Sequence, residues 1–182
     1  MSKVHYIQPY SIQSPPNIGG SINQAIEQLH ADAEDWICLT DMDTMWLRPD
    51  SKRQLEEILQ TTDYDLLGPL CNRLANDYQV VSFMFDEYDI RQHVECANIF
   101  HRSSYGNVEP YPHVLAAFCL CFRVKTWLEL GKFTENTITF DTDFSLAAHE
   151  AGMKLGLMTG IYLFHAYRLT SDNPKYDIAH LI

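Results

Sequence analysis

Basic residues are scarce in this chain: 13 Lys and Arg stand against 24 Asp and Glu, a formal net charge of −11 over 182 residues. Bulk binding to DNA, RNA or anionic lipid draws most of its affinity from a basic face, so no such partner is expected. A phosphate-bearing ligand would need a metal ion or a few local cations to offset the repulsion. Long apolar runs are missing too. The longest, Val114 to Phe122, falls well short of the ~20 residues of a membrane span. The opening MSKVHYIQPY has no charged-then-apolar leader pattern. The expectation is a soluble, cytoplasmic protein without a membrane span. CxxC spacing is also absent, and the five cysteines (Cys38, Cys71, Cys96, Cys119, Cys121) are an odd set. That argues against a disulfide framework or a zinc knuckle. They read as free core thiols, with Cys119 and Cys121 expected on opposite faces of one strand.

What is present is ordinary globular composition, 46% hydrophobic and 12% aromatic, in a length that suits a single domain spanning residues 1–182. Val4 to Gln8 reads as a short strand closed by Pro9, followed by a turn-rich stretch. Ser21 and Gln24 have capping-box spacing, and Ile22, Ala25, Ile26 and Leu29 form one apolar helical stripe. Asp35 to Thr40 is a buried strand, and a helix carrying Leu55, Ile58 and Leu59 precedes a strand at Tyr64 to Leu67. Further helices are expected around Asp86 to His101, Lys125 to Leu130 and Asp143 to Ala151, with strands at Ala116 to Phe122, Leu155 to Thr159 and Ile161 to His165. The tail from Ser171 reads as a surface arm. Strands alternating with helices predict an α/β sheet with parallel elements.

The most informative spot is the strand end Thr40-Asp41-Met42-Asp43-Thr44. Two carboxylates two residues apart in extended backbone project to one side. At the carboxyl end of a strand in an open α/β sheet, that side faces the ligand crevice. Paired oxygens suit Mg²⁺ or Mn²⁺, although a polar turn after a strand would read the same way. Asp141 and Asp143 open a helix, either as caps or with one of them a general base. His165 ends an apolar strand with Arg168 three residues on. A third metal ligand and a phosphate partner are one reading, and a structural histidine is the other.

The order of these pieces carries more than any one of them. A helix with Ser21-Ile-Asn23 precedes the strand into Asp41-Met-Asp43. Later come Arg123, then Gly131-Lys-Phe133-Thr-Glu135, then Phe140-Asp141-Thr-Asp143, Ala151-Gly152 and His165-Ala-Tyr-Arg168. This series resembles the GT-A glycosyltransferases of the family 2 type, including the related polypeptide N-acetylgalactosaminyltransferases, over roughly Gly19 to Arg168. The resemblance implies a Rossmann-like nucleotide-diphospho-sugar transferase fold, a mixed sheet flanked by helices. It also implies a UDP- or GDP-sugar donor, an acceptor hydroxyl and a Mn²⁺ or Mg²⁺ ion. On that likeness Asp41 and Asp43 form the DxD motif that holds metal and ribose-diphosphate, Asp43 as the direct ligand. His165 would complete the metal shell and Arg168 would lie near the diphosphate. Asp141 would deprotonate the acceptor in a single inverting displacement. Asn23 and Tyr10 fall on the nucleotide side, Tyr10 as a base-stacking ring. Arg73 is a candidate contact on the sugar or acceptor side.

The chain departs from the family pattern in two places. Phe140 stands where the family has glutamate. Two βα units usual before the DxD helix are replaced by Val4 to Gln8 and a loop, so the N-terminal half is truncated. Two other readings of the same residues remain. One is a haloacid-dehalogenase-like Mg²⁺-dependent phosphatase with Asp41 as nucleophile and Asp43 as general acid. The other is a non-catalytic nucleotide-sugar-binding module.

Overall fold

The computed structural model describes residues 2–11, 16–75 and 77–167. Arg168 and the expected arm from Ser171 lie outside the described residues.

Seven strands form one mixed sheet. β1 (Val4–Ile7), β2 (Trp36–Thr40), β6 (Cys119–Arg123), β4 (Leu66–Cys71), β7 (Leu155–His165) and β3 (Thr44–Trp46) lie side by side in that order, and β5 (Val108–Pro110) also pairs with β7. β1 runs parallel to β2 and β4 parallel to β7, while β6 opposes both β2 and β4. This is the mixed, helix-flanked α/β architecture of the GT-A type, in a short form. Among the described residues five α-helices accompany it: α1 (Ile18–Gln28), α2 (Ser51–Thr61), α3 (Ile90–Ser104), α4 (Val124–Glu129) and α5 (Phe140–Glu150).

Strand β2 explains the layering. All five of its residues are buried, because successive side chains enter different cores. Ile37 and Leu39 join Ile22 and Ile26 of α1 and Phe144 of α5 on one face. Trp36 and Cys38 join Leu55, Ile58 and Leu59 of α2 on the other. Residues i and i+2 of a strand share a face, so Cys119 and Cys121 lie together, not on opposite sides. Their sulfurs and that of Cys38 are within 4.8 Å of one another. All five cysteines are buried and free.

Several boundaries differ from the sequence expectation, each for a visible reason. α1 begins at Ile18 because the Asn17 side chain, not Ser21, caps it, accepting from the Gly20 N–H at 3.0 Å. Gly19 is needed there, since a Cβ would stand 2.2 Å from the Thr134 carbonyl oxygen. α3 begins at Ile90, four residues later than Asp86, because Asp89 caps it by accepting from the Arg91 N–H. β6 begins only at Cys119, because the segment before it bonds to α5 instead of to a strand. The Leu115 N–H donates to Ser145 Oγ and the Ala117 N–H to Asp141 Oδ2. The two expected final strands are one, Leu155–His165, whose register against β4 shifts between Pro69 and Leu70.

Candidate active site

The Asp41–Asp43 turn joins β2 to β3, and β3 then pairs antiparallel with the far end of β7. That register sets Thr44 opposite His165, which brings the late histidine to the two aspartates. The turn is tied down at several points. The Asp41 N–H and the Thr44 hydroxyl both donate to the Phe118 carbonyl, at 3.0 Å each. The Asp41 carbonyl accepts from Gln8 Nε2 at 3.0 Å, and the Asp43 carbonyl from the Ala166 N–H at 2.9 Å.

Ligand atoms of Asp41, Asp43 and His165 lie within 4.8 Å of one another. His165 Nε2 is 3.3 Å from Asp43 Oδ1 and 3.8 Å from Asp41 Oδ2. The imidazole is buried and stacks on Phe118, centroids 5.3 Å apart. Its Nδ1 is 2.8 Å from the Arg73 carbonyl oxygen. A carbonyl can only accept, so Nδ1 carries the proton, and in the neutral ring the Nε2 lone pair faces the carboxylates. Two carboxylates and an outward-facing neutral imidazole nitrogen are a donor set that fits Mn²⁺ or Mg²⁺ with open positions for other oxygens. The site also meets the charge requirement of so acidic a chain, because its compensation would arrive with an ion.

The electrostatics of the pair are unequal. Burial pushes the Asp41 carboxyl up to about 6, His165 opposes that shift, and the charges of Asp43 and Asp141 add to it. Asp43 is held below the usual carboxylate range, chiefly by His165, which can donate to it from Nε2 only when both ring nitrogens are protonated.

Asp41 and His165 open onto a cavity of about 510 Å³ whose wall also contains Asp141. Asp141 sits in the first turn of α5. Its Oδ1 accepts from the Thr142 N–H at 2.7 Å and its Oδ2 from the Ala117 N–H at 3.1 Å, while burial raises its pKa above the ordinary value. Asp143 instead turns back on the helix start, where Oδ2 accepts from Thr139 Oγ1 at 3.2 Å. Ile18, Leu74, Ile138 and Phe118 supply apolar wall. Phe140, where the resemblance leads one to expect glutamate, is buried against Phe133 with centroids 5.9 Å apart.

Three other sequence candidates stand apart from this cavity. Asn23 is buried, with Oδ1 accepting from Trp127 Nε1 and the Phe133 N–H and Nδ2 donating to the Phe133 carbonyl. It ties α1 to α4 and to the Gly131–Glu135 turn. Tyr10 lies in the loop after β1, 67% exposed. Arg73 is fully buried, its Nε donating to the Phe85 carbonyl at 2.6 Å and its guanidinium 4.7 Å from the Tyr88 ring centre. Sequence reasoning missed Asn72, whose Oδ1 accepts from the His165 N–H at 2.7 Å. An asparagine just past a strand gives no local signal of such a role.

Among the described residues no helix is long and apolar enough to cross a membrane. No curated protein matches the chain. The family description Glycosyl transferase family group 2 matches residues 36–173, which takes in Asp41, Asp43, Asp141 and His165. With that match covering most of the sequence, the chain belongs to the glycosyl transferase family group 2.

Proposed function

We propose that this protein moves a sugar from a nucleotide-sugar donor, a UDP- or GDP-sugar, to an acceptor hydroxyl with inversion at the anomeric carbon. The observation that carries the reading is the convergence of Asp41, Asp43 and His165 on a cavity that Asp141 also lines. Asp41, Asp43 and His165 would hold Mn²⁺ or Mg²⁺. A divalent ion there supplies positive charge that stabilises the departing diphosphate. Arg168, three residues beyond His165, is a further candidate for the diphosphate.

Asp141 acts as general base. Desolvation raises its pKa, which strengthens it as a proton acceptor. Its two backbone donors fix the carboxylate, so little reorganisation is needed as it takes the acceptor proton. The acceptor oxygen bonds to the anomeric carbon, the bond to the diphosphate oxygen breaks, and the nucleoside diphosphate leaves. The buried Phe118 ring supplies an apolar wall beside these groups.

The test is a panel of sugar nucleotides with Mn²⁺ or Mg²⁺, read by thermal shift and nucleoside diphosphate release. Metal-dependent stabilisation by a nucleoside diphosphate, lost in Asp43→Ala, is expected. Hydrolysis of an aryl phosphate that disappears in Asp41→Asn would refute this reading and favour a phosphatase. Binding without turnover across donors and acceptors would leave a nucleotide-sugar-binding module.

A further inference from the structure

The end of β4 meets the end of β7 in an unusual way. Over Leu66 to Pro69 the two strands run in a regular parallel register, Leu66 opposite Leu155 and Pro69 opposite Met158. One residue later Leu70 faces Tyr162 and Cys71 faces Leu163. β7 has therefore absorbed extra residues around Gly160, where a Cβ would stand 2.2 Å from the Ser104 carbonyl oxygen. The slip carries His165 to the level of Asn72 and Arg73, just past the last β4 residue. There the ladder is continued by a side chain: Asn72 Oδ1 accepts the His165 N–H at 2.7 Å. The next carbonyl, that of Arg73, takes the ring proton on Nδ1 at 2.8 Å.

We propose that Asn72 is a positioning residue for His165, holding main chain and ring so that the Arg73 carbonyl selects the tautomer whose Nε2 faces Asp41 and Asp43. The inference rests on the metal-site reading above and deepens it. Three features give it weight. Asn72 is 1% exposed and its acceptor oxygen is committed to the histidine's own backbone. The Arg73 carbonyl is anchored from the other side of its residue, since the buried guanidinium donates to the Phe85 carbonyl and lies against Tyr88. The Phe118 ring beneath the imidazole fixes its plane, 25° from parallel, so little freedom remains except which nitrogen carries the proton. Partners on the far nitrogen of a ligating histidine generally matter 10–100-fold in metal affinity, because they set orientation and basicity.

The experiment compares wild type, Asn72→Ala and Asn72→Asp. Asp keeps the acceptor oxygen that Ala removes. Mn²⁺ affinity is read from loss of the free-ion EPR signal. The tautomer is read from two-bond ¹⁵N–¹H correlations of the ring in ion-free protein at alkaline pH, with His165→Gln to assign the signals. Wild type should carry its ring proton on Nδ1. Asn72→Ala should bind Mn²⁺ 10–100-fold more weakly and show mixed tautomers, and Asn72→Asp should restore both. An Nε2–H tautomer in wild type overturns the proposal even if the alanine variant fails to fold. Folded Asn72→Ala with wild-type tautomer and Mn²⁺ affinity within threefold overturns it as well. Absence of Mn²⁺ and Mg²⁺ binding by wild type would sink the metal reading, while the tautomer data would still decide the role of Asn72.

Discussion

Replacing Asn23 by leucine separates a structural role from a nucleotide contact. The side chain is 6% exposed and makes three hydrogen bonds at 2.9–3.0 Å, one from Trp127 Nε1, one from the Phe133 N–H and one to the Phe133 carbonyl. Leucine has a similar branched shape, is somewhat larger, and can make none of them. Each stranded group costs about 1–3 kcal/mol when buried. The added apolar surface returns about 1–2 kcal/mol, and local relaxation recovers part of the rest. The expected loss is about 3 kcal/mol, a large share of the ~5–15 kcal/mol typical of a domain. With a urea slope of about 2 kcal/mol/M, the midpoint should fall by about 1.5 M at unchanged slope. Urea unfolding followed by tryptophan fluorescence and by circular dichroism measures it, and coincident curves would confirm one transition. A loss below about 1 kcal/mol would refute the reasoning. Unchanged stability with nucleotide binding abolished would return Asn23 to the ligand.

Four further outcomes are expected. In ion-free protein the raised Asp41 pKa favours its protonated form in the folded state, so its penalty on stability is absent below pH ~4 and complete above about 6. The full shift would correspond to roughly 3 kcal/mol, but the side chain is 44% exposed and water screens it. Asp41→Asn should therefore stabilise ion-free protein by about 1 kcal/mol at pH 7 and by almost nothing at pH 4 in paired urea titrations. Gly19→Ala should cost about 2–3 kcal/mol, because its Cβ would meet the Thr134 carbonyl and push α1 off that turn; a loss under 1 kcal/mol would contradict the close approach. Asp141→Asn should retain metal-dependent nucleotide binding by calorimetry while transfer falls at least 100-fold, and retained transfer would remove the base assignment. All five thiols should resist a thiol-specific reagent in native buffer and react once unfolded; a fast native phase would show that a cysteine is accessible.

The strand and helix inventory was largely legible because its signals are local. The apolar run before Asp41, the stripe Ile22, Ile26 on α1 and the apolar stretches of β6 and β7 identify themselves within a few residues. Misplaced boundaries trace to side chains that cap or bond across space. Asn17 starts α1 before Ser21 could, and Ser145 and Asp141 hold back the start of β6. Gly19 falls in the stretch after Pro9 that reads as turn-rich, because nothing local reveals the Thr134 carbonyl that excludes a side chain there.

The site divides along the same line. By itself the sequence determined which groups could do chemistry: the Asp41/Asp43 pair on a strand end, an acid opening α5, and a histidine ending the last strand. It also determined the charge problem that an ion would solve. Only the tertiary structure decided that His165 faces the aspartates, through a β3–β7 register that joins residues over a hundred positions apart. It likewise decided that Asn23 and Arg73 are buried in protein contacts, and that Asn72 grips His165. Periodicity and capping are properties of a few neighbouring residues, whereas register and tautomer follow from which distant backbones meet once the sheet has closed.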